Sequence, residues 1–189
     1  MKKLFAFAFF ALMTLPAIKA QESMFNLGDR VINLGIGIGN TLYSYSTYYS
    51  RGVPPVSISV EQGIKDDILD NGVIGVGGYL GYSSSKYRYT WTGGEWGWNY
   101  SYIVIGALGT FHYPILDDLD TYLGVLLGYN ITTSREVGDI PADTDSYATG
   151  GIVYSGFVGA RYYFNDKFAV FGQLGYGIAY LQLGLSIRL

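Results

Sequence analysis

The chain has 189 residues, with 27 Gly, 19 Tyr, 10 Phe, no Cys and only 14% charged residues. Twelve Lys and Arg stand against 15 Asp and Glu, an acidic balance that argues against nucleic-acid binding, where clustered basic residues must meet phosphates. Without cysteine there is no disulfide framework. Few charges beside so much glycine and tyrosine exclude a soluble helical domain, whose polar helix faces would demand charge.

Residues 1–20 come first and set the compartment. Lys2 and Lys3 give a basic start, Leu4 to Leu15 is apolar, and Pro16 to Ala20 leads to a small residue before Gln21. That is the order of a secretory signal peptide, with cleavage read after Ala20. The apolar run is short of the ~20 residues that a spanning helix needs. No later stretch approaches that length, so no transmembrane helix is expected. Removal of residues 1–20 leaves residues 21–189 as one domain with a net charge of −6.

From residue 32 onward the chain alternates with period two. Leu34, Ile36 and Ile38 alternate with glycines; Val56, Ile58 and Val60 alternate with Ser57, Ser59 and Glu61. Ile74, Val76, Leu80 and Tyr82 oppose Val73, Gly75, Gly77, Tyr79 and Gly81. The segment Tyr100–Tyr113 is apolar on both parities, and Ile103, Ile105, Phe111 and Tyr113 are assigned outward because that groups two aromatics near one end. Alternation continues through Leu123–Ile131, Ile152–Phe164, Phe168–Tyr176 and Leu181–Leu189. The total is eight strands.

Their connections alternate as well. Residues 65–71, 114–120 and 165–167 are short and acidic, whereas 43–55, 83–99 and 134–149 are long and polar or aromatic. Gly177 to Tyr180 is a fourth, short joint between the last two strands. Short turns on one side, long loops on the other and an even strand number describe an eight-stranded antiparallel up-and-down transmembrane β-barrel with both termini at the short-turn side. The non-apolar face is Gly, Ser, Ala and Tyr, which suits a crowded lumen and makes a poor solvated surface. Strands in lipid must close into a ring to satisfy their peptide groups, so the last strand is expected to pair with the first, at Ile32–Asn40. Tyrosines near strand ends fit interfacial girdles.

The leader, "GALGTFHY", "TYLGVLLGYN", "GFVGARYYFNDKFAVFGQLGYG" and the terminal "LGLSIRL" together resemble the small bacterial outer-membrane β-barrel proteins of the OmpA/OmpW/opacity-porin kind. The resemblance spans the chain after the leader. It implies outer-membrane residence with periplasmic termini, contact with outer-membrane lipid and lipopolysaccharide, and a terminal strand read by the barrel-insertion machinery, although Leu189 stands where that signal usually ends in Phe or Trp. No peptidoglycan-binding domain is expected after the barrel. A structural or surface-interaction role is expected for a monomer; the alternative is an OmpW-like conduit for small apolar molecules.

Three charged residues fall on lumen parity: Glu61, Arg161 and Arg188. A lone charge in a narrow barrel is costly, whereas Arg against a carboxylate makes strong paired hydrogen bonds, so Glu61 with one or both arginines is the expected lumen network. Arg188 could instead meet Asp66 or Asp120. His112 is read as a hydrogen-bonded inner-rim residue with no catalytic partner, and neither a catalytic constellation nor a cofactor site is expected. "YTWTGGEWGWNYSY" reads as a hairpin turning at Gly93–Gly94 and extending beyond the membrane, with Trp91, Trp96 and Trp98 as a candidate recognition surface. Glu136, Asp139, Asp143 and Asp145 match no calcium-loop spacing, and "LGIGIGN" opens no helix that could hold a phosphate. No metal is expected.

Overall fold

The structure is a computed structural model that describes residues 23–39, 49–138, 147–176 and 178–189. The predicted leader, Tyr43, Tyr45, Tyr48, and the loop acids Asp139, Asp143 and Asp145 lie outside the described residues. The strands are β1 (Arg30–Ile38), β2 (Tyr49–Arg51), β3 (Val56–Ile68), β4 (Gly72–Trp91), β5 (Gly94–Leu116), β6 (Leu119–Gly138), β7 (Tyr147–Tyr163), β8 (Phe168–Tyr176) and β9 (Leu181–Arg188). Neighbours pair antiparallel in the ring order β1, β3, β4, β5, β6, β7, β8, β9, and β9 closes onto β1 from Val31–Arg188 to Ile38–Leu181. Eight strands therefore leave no edge in the wall. The three-residue β2 lies outside the ring and extends it above β3, pairing Ser50 with Lys86 of β4.

Alternation places the apolar residues outside. Leu34, Ile58, Leu80, Ile105, Val125, Val158, Val170 and Leu185, one from each ring strand, are all exposed. Strand β5, apolar on both parities, turns Ile103, Ile105 and Tyr113 outward and Tyr102, Val104, Leu108, Thr110 and His112 inward. Large rings fill the lumen because glycines face them. An added Cβ at Gly159 would fall 2.5 Å from the Tyr122 ring, at Gly124 2.4 Å from Phe157, and at Gly184 2.6 Å from Phe171. Tyr79, Val104, Leu108, Tyr122, Leu126 and Phe157 pack together there, joined from the β8–β9 connection by Ile178. Glycine content and aromatic content are thus two halves of one packing solution.

Among the boundaries that differ from the expected ones, two bear on the site and the hairpin. The β4–β5 register runs unbroken from Val73–His112 to Trp91–Gly94, so the turn is Thr92–Gly93 and Gly94 begins β5. The acidic segment 114–120 is mostly strand: Pro114 pairs with Asp120, and the turn tightens to Asp117 and Asp118, with Asp118 at φ +60°. Asx residues tolerate that left-handed backbone. The shift moves Asp120 from a turn into the wall.

Candidate functional site

Glu61 sits on β3, paired with Val31 and Gly77; Arg161 sits on β7, four positions around the ring. These strands face each other across the lumen, and the two side chains meet in the middle, where Arg161 Nη2 donates to Glu61 Oε1. Nη1 of the same guanidinium donates to Asp120 Oδ2 at 2.7 Å. His112 Nδ1 lies 2.8 Å from Asp120 Oδ1, and its Nε2 lies 3.0 Å from Thr110 Oγ1 and 3.4 Å from Glu61 Oε2. Thr110 donates to Glu61 Oε2 at 3.1 Å and Asn33 Nδ2 to Oε1 at 3.4 Å. Five strands therefore converge on one cluster.

Each charged member is 3% exposed or less. Burial at that level is tolerable only with every carboxylate oxygen satisfied, which the cluster achieves by sharing one guanidinium between two acids and adding His, Thr and Asn. Aromatic faces complete the shell: Arg161 Cζ lies 5.0 Å from the Tyr122 ring centre and 6.0 Å from that of Phe25, placements that attract a cation electrostatically. Gly75 makes room, since a Cβ there would approach Thr110 Oγ1 to 2.4 Å.

Beside the cluster, polar side chains of β9 reach across to β1 and β3. Ser186 donates to Asn33 at 2.7 Å, and Gln182 to Ser57 at 2.6 Å. A cavity of about 40 Å³ remains, bordered by Glu61, Tyr79, Thr110, Arg161, Gln182 and Ile178. That volume holds a few waters and no larger solute.

Arg188 does not join the cluster. It lies at the last rung of β9, where its Nη2 donates to the Met24 carbonyl, its Nε is 3.9 Å from Asp29 Oδ2, and its guanidinium sits 4.4 Å from the centre of the Tyr163 ring. Met24 and Asp29 precede the barrel wall and offer nearer acceptors than Glu61, Asp66 or Asp120. His112, expected as a hydrogen-bonded rim residue, is hydrogen-bonded but fully enclosed, and Asp120, expected in a turn, is the second acid of the network. The aspartate signal was present as lumen parity: Asp120 is two residues before Tyr122.

The hairpin beyond the barrel is a second polar cluster. Trp96 and Trp98 meet edge to face at 6.1 Å, and Trp96 Nε1 donates to Glu136 of β6. Tyr89 pairs with Trp96 and Tyr87 with Trp98. On the opposite face Arg88 reaches Glu95 at 3.0 Å and Asn99 Oδ1 at 2.7 Å. Trp91 ends β4 opposite Gly94. Among the described residues there is no group of three or more His, Cys, Asp or Glu arranged to hold a metal ion.

No protein-family model matches the chain, and no curated protein matches it in sequence. Solved structures do. Ail, the attachment invasion locus protein of Yersinia pestis, solved in complex with the heparin analogue sucrose octasulfate, aligns with TM-score 0.51 and 13% identity over 87% of this chain and all of that one. The N-terminal β-barrel domain of Pseudomonas aeruginosa OprF aligns with TM-score 0.49 and 14% identity over 86% of this chain and 98% of that one. At 13% identity the likeness to Ail is one of fold. The fold class is therefore the small, closed, eight-stranded antiparallel barrel of outer-membrane proteins.

Proposed function

We propose that the chain is an integral outer-membrane protein of the OmpA-like kind, exported by a cleaved leader, monomeric, with both termini in the periplasm and no enzymatic activity. The observation that carries this reading is the inversion of faces: every ring strand presents Leu, Ile, Val or Tyr outward, while Glu61, Asp120 and Arg161 are enclosed. Water penalises such an exterior; lipid accepts it. Its partners are outer-membrane lipid and lipopolysaccharide around the wall, and the barrel-insertion machinery at Leu181–Leu189.

Its role is structural or one of surface interaction. Side chains meet across the lumen, and the cavity beside the cluster, about 40 Å³, is far below the several hundred Å³ of a ligand pocket. This weighs against the OmpW-like conduit. The relay from Asp120 through His112 to Thr110 has the order of an acid, a base and a hydroxyl nucleophile, yet Thr110 is buried and already donates to Glu61. With no room for a substrate, the relay serves to hold the barrel. Surface interaction falls to the 83–99 hairpin, where Trp96 and Trp98 rise beyond the barrel.

The test is fractionation of cells producing the chain. Recovery in the outer membrane, as a form whose electrophoretic mobility changes on heating, is expected; recovery from the soluble periplasm contradicts the proposal. Replacing 83–99 by a short turn is expected to abolish surface binding without loss of the folded form.

A further inference from the structure

The residues before β1 lie outside the barrel wall, yet they are bonded into its mouth. Ser23–Asp29 form a compact turn: Ser23 Oγ donates to the Phe25 carbonyl at 2.6 Å, Asn26 Nδ2 to the Ser23 carbonyl at 2.9 Å, and the Asn26 amide to Asp29 Oδ2 at 2.9 Å. Gly28 takes the φ of +89° that the turn requires. Two backbone hydrogen bonds dock the turn on β3, Gly28 N to the Gly63 carbonyl at 2.9 Å and Gly63 N to the Asp29 carbonyl at 3.0 Å. Gly63 is essential to the approach, because a Cβ there would stand 2.2 Å from the Asn26 carbonyl oxygen. From β9, on the other side of β1, Arg188 holds the Met24 carbonyl.

This docking drives Phe25 into the lumen. Its side chain has no exposed surface, packs with Val31 and Val73, and stacks on His112 at 4.0 Å between ring centres with the planes 25° apart. The ring lies between the ion cluster and the short-turn end. We propose that Ser23–Asp29 is a built-in stopper whose Phe25 seals the short-turn mouth of the lumen, and whose withdrawal opens the Glu61–Asp120–Arg161–His112 cluster to solvent. Withdrawal is feasible because the turn is held by one strand, one arginine and the packing of one ring, while the cluster behind it is carried on five paired strands of the wall. The stopper can leave without breaking the wall.

The chain has no cysteine, so Val73→Cys provides a single thiol behind Phe25. In the folded, detergent-solubilised protein, a charged maleimide is expected to react with that thiol at least about tenfold more slowly than with Asp117→Cys at the exposed turn, and Phe25→Ala is expected to restore at least about tenfold of the rate. Gly63→Val, which keeps Phe25 but clashes with the docked turn, is expected to do the same and serves if Phe25→Ala does not fold. Reaction of Val73→Cys as fast as Asp117→Cys overturns the stopper, as does an unchanged rate in a folded Phe25→Ala protein. Because these rates are read on the detergent-solubilised protein, they decide whether Phe25 seals the mouth independently of the membrane reading.

Discussion

Two arginines in this molecule do similar chemistry in opposite surroundings. Arg161 bridges Glu61 and Asp120 with side-chain exposures of 1 to 3%, whereas Arg88 meets Glu95 with exposures of 29% and 55% and also bonds Asn99. Both are cross-strand networks of an arginine, a carboxylate and neighbouring hydrogen-bond partners. What differs is solvent. At the hairpin, water stabilises each charge alone, so the pair adds little. In the lumen each charge depends on the others, and the cluster therefore locks opposite walls in one register.

The comparison breaks most decisively at Arg161. Arg161→Met leaves two buried carboxylates without their shared cation and is expected to cost about 3–5 kcal/mol, measured by urea unfolding in lipid vesicles. Adding Glu61→Gln and Asp120→Asn to that variant is expected to recover most of the loss, because the penalty is the unpaired charge and not the missing contact. A third arginine environment sharpens the contrast: Val125→Arg, on the outward face near mid-barrel, has no partner and is expected to cost about 2–4 kcal/mol in a bilayer. His112→Phe keeps a ring beneath Phe25 but removes a hydrogen-bond partner from Asp120 and Thr110, at about 1–3 kcal/mol. Arg88→Ala is expected to shift the same unfolding curve by less than about 1 kcal/mol. Equal effects at Arg88 and Arg161 would remove the distinction.

The barrel is legible in the sequence because its signal is repeated. Period-two alternation in eight segments, with acidic turns and long loops in alternation, specifies the wall, the faces and even the parity of β5. Glu61 and Arg161 are legible for the same reason, as charges on the inward side of strands. Asp120 and His112 are obscured by a boundary: "PILDDLD" carries the composition of a turn, and only the tight Asp117–Asp118 reversal returns Pro114 and Asp120 to the strands. The acceptor of Arg188 is hidden because Met24 and Asp29 belong to a segment without periodicity. Phe25 is illegible for that cause as well. Nothing in "ESMFNLGDR" marks one ring as a lumen residue, since its position is set by docking on Gly63, far along the chain.

The closed lumen is the centre of this account, and ion flow through the barrel tests it most directly. A planar bilayer holding the intact chain is predicted to show no persistent conductance above that of the bare membrane. Steady open steps of the size given by a water-filled porin would contradict a lumen bridged by Glu61, Asp120, His112 and Arg161.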